Sequence, residues 1–525
     1  MAEGRRDGID RRTALAAAAG LAITGGIARA APAEAAQGPQ GPPLPAGCPP
    51  PHRGRIPAPG PDDGGVSSVL ARHVANARYE QLDAGAVAQA KLRLLDVIGC
   101  AIGGLRGEGQ AGLSGLLAAG GNGEASVFGT GRKAPAHDAA MANAVLARTW
   151  DFEVMTVQVR DVLSPSHHAP TTVMTALALA EQGHVNGRDF LTAMSVGDDF
   201  AARSIAASGI DFNDGWDGVP LHATMAAAAI AANARRLSPA QTREAIALAA
   251  DQIGGTVQNV WDGGNSWKIL QGSAARNGIL AAKFAAAGWS GMTDPLLSPC
   301  GFYAQFTSGC ARPDLLTAGL GQEWNGEVYF KPYPSCAANH PTIETALNLR
   351  ARTGLDPAQI EEVTIRVGAH VIGLFIVKPL KPGPSAHSQA NFSLRFACAN
   401  ALLRGSLRQE HYAPAAMAEP ALRRLIDRTR IEALPRGAQG VIVEVRMRDG
   451  RTASEALTRR ARRYPDVEGT TPAEVEAKFR QQVAFAGNVP GPLADQIASR
   501  IAAIETERDM AGFAALVARA TRFPA

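Results

Sequence analysis

Aromatic residues make up only 5% of this 525-residue chain, although 46% of it is hydrophobic. The apolar content is therefore mostly alanine and aliphatic side chains. That scarcity argues against a β-sandwich, which draws on Val, Ile, Tyr and Phe, and favours close-packed helices. Charge of one sign is lacking too. The formal net charge is +4, and the cluster Arg459, Arg460, Arg462 and Arg463 does not extend into a long basic run. A nucleic-acid platform needs a basic stripe with stacking aromatics, so no nucleic-acid partner is expected. The six cysteines, Cys48, Cys100, Cys300, Cys310, Cys336 and Cys398, are scattered and form no C-x-x-C pair. This argues against a zinc ribbon, a thioredoxin-like centre, a C-x-x-C iron–sulfur site and a disulfide framework. H-E-x-x-H, a strand-linked G-x-G-x-x-G, Walker A and G-x-S-x-G are all missing. Hydride transfer, phosphoryl transfer, serine hydrolysis and a preformed zinc site thus have no sequence support. Beyond the N-terminal region every long apolar run carries charge or glycine, so no membrane span is expected.

What is present begins with an address. Asp10-Arg11-Arg12-Thr13 precedes an apolar stretch to Ile27 and then Ala28-Arg29-Ala30. A charged front, a short apolar middle and an A-x-A site read as a signal peptide over residues 1–30, with a twin-arginine pair. This predicts a periplasmic or secreted protein; the alternative is a cytoplasmic enzyme whose start is set too early. Residues 31–65 are rich in Pro, Gly and Ala, and read as a disordered linker that cannot bury enough apolar surface to fold.

The body divides by texture. From Asp83, the apolar positions Val87, Ala90, Leu94, Val97 and Ile98 mark one face of a helix that Gly103-Gly104 can end. Further Ala-rich runs predict helices over His137–Trp150, Thr171–Gln182, Phe190–Ala207, Thr224–Arg236 and Ala274–Ala287. Ser238-Pro239-Ala240-Gln241 reads as a capping box. Residues 66–325 are thus predicted to form a helical bundle domain. After about Glu323 the pattern changes. Ile360–Val367 has strand composition. Val441, Val443, Val445 and Met447 alternate with Ile442, Glu444, Arg446 and Arg448 before a turn at Asp449-Gly450. With a helix over Asn391–Arg404, residues 326–465 read as a smaller α+β domain. Thr471-Pro472-Ala473-Glu474 opens a last helical region over 466–525. The fold class expected is mainly α.

Several polar groups sit in settings that suit chemistry. Ser166-His167-His168-Ala169-Pro170 precedes a helix, whose positive end favours neutral imidazole; a surface or capping pair is the plainer reading. His222 opens another Ala-rich helix. Lys268 follows the Gly-rich Asp262-Gly263-Gly264-Asn265, where a flexible-loop lysine can hold a carboxylate or an enolate. Lys331-Pro332-Tyr333-Pro334-Ser335-Cys336 and His340-Pro341 are stiffened by proline. Cys336 is either a nucleophile or an inert buried thiol.

In their shared order these stretches resemble the MmgE/PrpD family, which includes 2-methylcitrate dehydratase and cis-aconitate decarboxylase. Leu94-Leu95-Asp96-Val97-Ile98-Gly99-Cys100 looks like its opening helix. His167-His168-Ala169-Pro170 looks like its His-Pro-Gly segment, with His167 or else His168 as the family histidine. Leu221-His222-Ala223-Thr224, Trp267-Lys268, Gly301-Phe302-Tyr303 and the Lys331–Pro341 stretch are similar to further family segments. The resemblance implies an all-helical domain completed by the C-terminal segment, a smaller α+β lid, a homodimer, and a site between the domains. It implies a lyase that takes a small polycarboxylate without metal or organic cofactor. Dehydration is the first expectation, with decarboxylation or epimerisation as alternatives. The roles it implies are His167 and His222 as acid and base, Lys268 for developing charge, Tyr303 as donor and Asp151 orienting a histidine. His168, Lys331, Cys336, His340 and Gln271 would bind substrate. Three departures stand out. Asp151-Phe152-Glu153-Val154-Met155 replaces Asp-Phe-Asp-Asp-Thr, Gln271 replaces a histidine after Lys268, and Ala337 replaces an arginine after Cys336. They admit a further alternative, an exported relative that binds carboxylates without turning them over.

Overall fold

The computed structural model describes residues 65–210, 215–380, 385–457 and 470–524. The expected leader at 1–30, all but the last residue of the expected 31–65 linker, and the expected 465/466 domain junction lie outside the described residues.

Small side chains set the spacing of the larger layer. The helix Trp267–Ala286 packs against Gly218–Ala234 and Ala136–Arg148. A Cβ at Gly278 would lie 2.5 Å from the Ala227 Cβ, and one at Gly272 would lie 2.6 Å from the Met141 carbonyl oxygen. Neither separation is available to a larger residue, so two glycines fix how closely this helix approaches both neighbours. Ala169–Gly183 and Pro239–Ala250 also pack on it, and Gly187–Ser208 packs on Gly218–Ala234. The Ser238–Gln241 capping box forms as the sequence predicts, as does the one at Thr471–Glu474. The helix Ala84–Gly104 is capped by Asp83, which accepts from the Ala86 N–H. The late helix Pro472–Ala486 lies along it, with Phe479 against Gly99. Phe479 is fully buried there, a contribution of roughly 1.5–3 kcal/mol.

A second core surrounds a four-stranded sheet in the order Thr429–Ala433, Ile360–Val367, Val441–Met447, Thr452–Leu457. The first pair is parallel and the other two are antiparallel. Val441, Val443, Val445 and Met447 are buried, as their alternation predicts. The helices His340–Thr353, Leu394–Arg404 and Pro420–Asp427 add to this core. The chain is thus mainly α, a helical layer with a smaller α+β layer.

Three features differ from the expectation. The helix expected over Asn391–Arg404 begins later, at Leu394, because Ser393 caps it through the Phe396 N–H, and a separate short helix, Ala386–Asn391, precedes it. A small sheet of Val162–Ser164, Met155–Val159 and Glu327–Tyr329 was not anticipated. Its outer pairing joins segments that are distant in sequence, and local pattern does not carry that information. Lys268 lies in the first turn of the Trp267 helix, not in a flexible loop. The buried indole of Trp267 anchors the start of that helix.

Candidate active site

The helix Ala136–Arg148 ends in a sharp reversal at Asp151, whose φ of 50° lies in the left-handed region. That conformation costs an ordinary L-residue roughly 1–2 kcal/mol, and Asp tolerates it better than most. The turn folds the Asp151 carboxylate back onto the last arginine of its own helix. Arg148 pairs with Asp151, and with Glu153 at 2.7 Å. The strap Asp151–Val154 is braced from behind. Asp96 accepts from the Val154 N–H at 2.7 Å and pairs with Lys478 at 2.7 Å. Lys478 also donates to the Phe152 carbonyl.

Lys331 reaches the front of the strap, donating to the Asp151 carbonyl at 2.8 Å and its carboxylate at 2.6 Å. Asn391 donates to the other carboxylate oxygen at 3.3 Å. Burial alone would raise the Asp151 carboxyl, but Arg148 and Lys331 together outweigh it and hold it well below the usual range. Glu153 is lowered by the same competition, with help from His167.

His167 projects toward this strap from the residue before the cap of the helix Ala169–Gly183. Its Nδ1 lies 2.6 Å from Glu153 and 3.8 Å from Asp151. Gln271 donates to the His167 carbonyl at 2.6 Å, and Thr171 donates to Gln271 at 2.6 Å. Burial first, then Arg148 and Lys331, lower the imidazole to about 4. A neutral ring that donates from Nδ1 to Glu153 carries its lone pair on Nε2, which makes no hydrogen bond among the described residues. That is the arrangement of an oriented general base. The histidine keeps 14% of its side chain exposed.

Asp151, Glu153 and His167 place one ligand atom each within 4.8 Å of one another. Arg148 and Lys331 already lie against those carboxylates. A divalent cation would have to displace both or share their space, so this donor set does not fit a metal centre.

Lys268 is buried beside the same group: its Nζ lies 5.3 Å from the Trp267 ring centre, and the Arg148 guanidinium lies 4.6 Å from that centre. Burial lowers the ammonium to about 8, against a smaller upward pull from Glu108 and a further downward push from Arg148. Among the described residues no carboxylate lies within ion-pair distance of it. Its polar contact is with His387 Nδ1 at 3.3 Å.

The other expected residues divide from this group. His222 and Tyr303 are buried in a separate cluster inside the helical layer. His222 Nδ1 meets the Ser204 hydroxyl at 2.7 Å, and Tyr303 donates to the Ser204 carbonyl at 2.9 Å. No hydrogen bond, ion pair or ring contact joins either to His167 or Lys268 among the described residues. Burial lowers His222 to about 3 and pushes the Tyr303 phenol far up, so both are neutral. His168, fully buried, lies between the clusters, 3.6 Å from Asp198 and 3.7 Å from Glu327. Consecutive residues at the helix start aim their rings apart, which makes His167 rather than His168 the histidine of the charged group.

Other roles change for reasons of partnership. The contact orienting His167 is the shorter one from Glu153, while Asp151 serves the two cations. His340 has both ring nitrogens engaged, by the Tyr329 hydroxyl at 2.9 Å and the Ser335 carbonyl at 3.1 Å, so it is not available to a substrate carboxylate. Lys331 is fully buried on Asp151, and Gln271 is spent on His167 and Thr171, so these two shape the site rather than face a ligand. Burial and then the Asp151 charge push the Cys336 thiol up to about 12, which removes it as a nucleophile. Sequence reasoning missed Arg148, Asn391 and His387. A charged residue closing an Ala-rich helix three residues before Asp151 was a usable signal for Arg148. His387 and Asn391 lie in a short polar run that carries none.

Two family models match the chain. The MmgE/PrpD N-terminal domain covers residues 68–312 and the MmgE/PrpD C-terminal domain covers 333–497. A cis-aconitate decarboxylase-like protein of Aspergillus oryzae is 25% identical over 484 residues, 87% of this chain and 98% of its own length. The cis-aconitate decarboxylase of Aspergillus terreus is 28% identical over 303 residues, 55% of this chain and 61% of its own. That of Homo sapiens is 26% identical over 309 residues, 57% of this chain and 61% of its own. The chain therefore spans about three fifths of the length of these two decarboxylases.

Proposed function

The chain belongs to the MmgE/PrpD family and is a lyase, and from that premise we propose that it releases carbon dioxide from an unsaturated tricarboxylate of the cis-aconitate type. The observation that carries this reading is the surplus cation. Arg148 and Lys331 are balanced by Asp151 and Glu153, whereas among the described residues no carboxylate lies within ion-pair distance of the buried Lys268. A buried ammonium left in that state is suited to an anionic ligand that brings its own charge. In the reaction, the bond to the departing carboxylate breaks and its electron pair shifts through the double bond to the far carbon. Lys268 stabilises the charge as it builds and returns a proton to that carbon, then regains one from water. The relatives named as decarboxylases support this choice over dehydration.

Dehydration is the second reading, favoured by the Glu153–His167 pair. An oriented neutral imidazole is what removal of a proton beside a carboxylate requires, and decarboxylation has less use for it. Carbon-13 NMR of products from labelled cis-aconitate and from 2-methylcitrate separates the two. Labelled carbon dioxide from cis-aconitate is the expected result. Loss of water from 2-methylcitrate alone would replace the first reading with the second. A melting shift with either acid and no product from both would mark a binding protein.

The site also sets a pH profile. Under the dehydration reading His167 must also be neutral, a state lost as pH falls through about 4. Lys268 must be charged, a state lost as pH rises through about 8. The expected kcat/KM profile is a plateau between these limits, falling about tenfold per pH unit on the alkaline side. A plateau that continues past pH 10 would remove the charged lysine from the mechanism.

A further inference from the structure

One six-residue helix of the smaller layer, Ala386–Asn391, touches the charged group at three points. Asn391 donates to Asp151 at 3.3 Å, the Ser388 hydroxyl accepts from the Trp267 indole at 3.2 Å, and His387 Nδ1 lies 3.3 Å from Lys268 Nζ. We propose that His387 is a positioning residue that acts through Lys268: its Nδ1 lone pair holds the ammonium in its charged form and fixes where that charge points. This goes beyond the family reading of the site and rests on it only in making Lys268 the functional cation.

The geometry leaves His387 little freedom to do anything else. Its ring is held edge-on by Trp150, with centres 4.6 Å apart, and by Tyr412 at 5.1 Å. Both aromatic side chains are themselves anchored. The Trp150 indole donates to the Gly103 carbonyl at 2.9 Å and the Tyr412 hydroxyl to the Pro334 carbonyl at 2.6 Å. A neutral imidazole that accepts at Nδ1 must carry its proton on Nε2. That atom is buried and has no hydrogen-bond partner among the described residues. The opposite tautomer would set an N–H against the ammonium, donor to donor. Leaving Nε2–H unsatisfied is therefore the cost of presenting a lone pair to Lys268.

The charged and titratable groups facing the pair are few. Lys268 faces Glu108, from the turn after the helix Ala84–Gly104, and Arg148, from the end of the helix Ala136–Arg148. His387 faces Lys268 and, more remotely, Asp151. Glu108 is itself tied to the same short helix, since the Ser385 hydroxyl donates to it at 3.0 Å. Burial and the neighbouring lysine hold His387 well below its ordinary value, so it stays neutral while Lys268 titrates.

The test reads Lys268 directly and needs no substrate. In the full chain, reductive methylation with formaldehyde is followed at Lys268 by peptide mass spectrometry from pH 6 to pH 10. His387→Leu removes the acceptor, and the labelling midpoint is expected to fall by about one pH unit. His387→Asn places an oxygen where Nδ1 was and is expected to restore it. His387→Gln carries its oxygen to the Nε2 position instead and is expected to fail. The Asn–Gln contrast decides the matter if the leucine variant does not fold. Equal midpoints in wild type, Asn and Gln variants would overturn the proposal. Absence of product from every tricarboxylate, with the midpoint shifted as expected, would instead sink the functional reading and leave the His387–Lys268 pair standing.

Discussion

Lys268→Met is expected to lower turnover of cis-aconitate about a thousandfold while the protein melts within a few degrees of wild type. A thousandfold corresponds to about 4 kcal/mol, the scale of one fixed charge or donor aimed at a developing anion in a closed site. The small stability effect follows from the partner list. Lys268 has no carboxylate within ion-pair distance among the described residues, so its removal strands no anion. His387 loses one donor, a cost of about 1 kcal/mol, and the relief from burying an ammonium runs the other way. Kinetics on purified protein with a thermal melt check both halves. More than a tenth of wild-type turnover would take Lys268 out of the chemistry.

Asp151→Asn is expected to do the opposite, destabilising the fold by about 3–5 kcal/mol, because it leaves two buried cations facing a neutral amide. Arg148 and Lys331 both rest on this carboxylate. Adding Lys331→Met should recover a large part of the loss, and the urea midpoints of the two single variants and the double variant measure the coupling. Additive effects would mean that the Lys331–Asp151 contact carries no energy of its own. The two lysines thus separate by what surrounds them. One is neutralised by a carboxylate, and the other has no carboxylate within ion-pair distance among the described residues.

What could be read from the sequence was what is encoded locally. The Ser238 and Thr471 capping boxes, the Ala-rich helices and the alternation through Val441–Met447 depend on residues a few positions apart, and each forms as expected. The family segments containing Asp151, His167, Lys268 and Lys331 were also legible, and the structure places His167 and Lys331 against Asp151, with Lys268 and Arg148 both neighbours of the Trp267 ring. What was not legible is which group meets which. His222 and Tyr303 occur in motifs as suggestive as that of Lys268, yet they turn into a neutral cluster around Ser204. His387 has no sequence signal, because its role is set by a lysine 119 positions away. The strap beginning at Asp151 could be recognised as a departure from the family run. Its left-handed turn, and the transfer of the orienting contact to Glu153, are tertiary facts.

The brace behind that strap bears on synthesis. Lys478, on one of the last helices, pairs with Asp96 and bonds the Phe152 carbonyl, so residues near both ends of the folded body jointly hold the turn that presents Asp151 and Glu153. A growing polypeptide can wind its Ala-rich helices as they leave the ribosome, yet the turn lacks its support until codon 478 has been translated and its product has cleared the exit tunnel. Catalytic competence therefore arrives late, and a premature stop ahead of that codon leaves a largely helical but unbraced, inactive product.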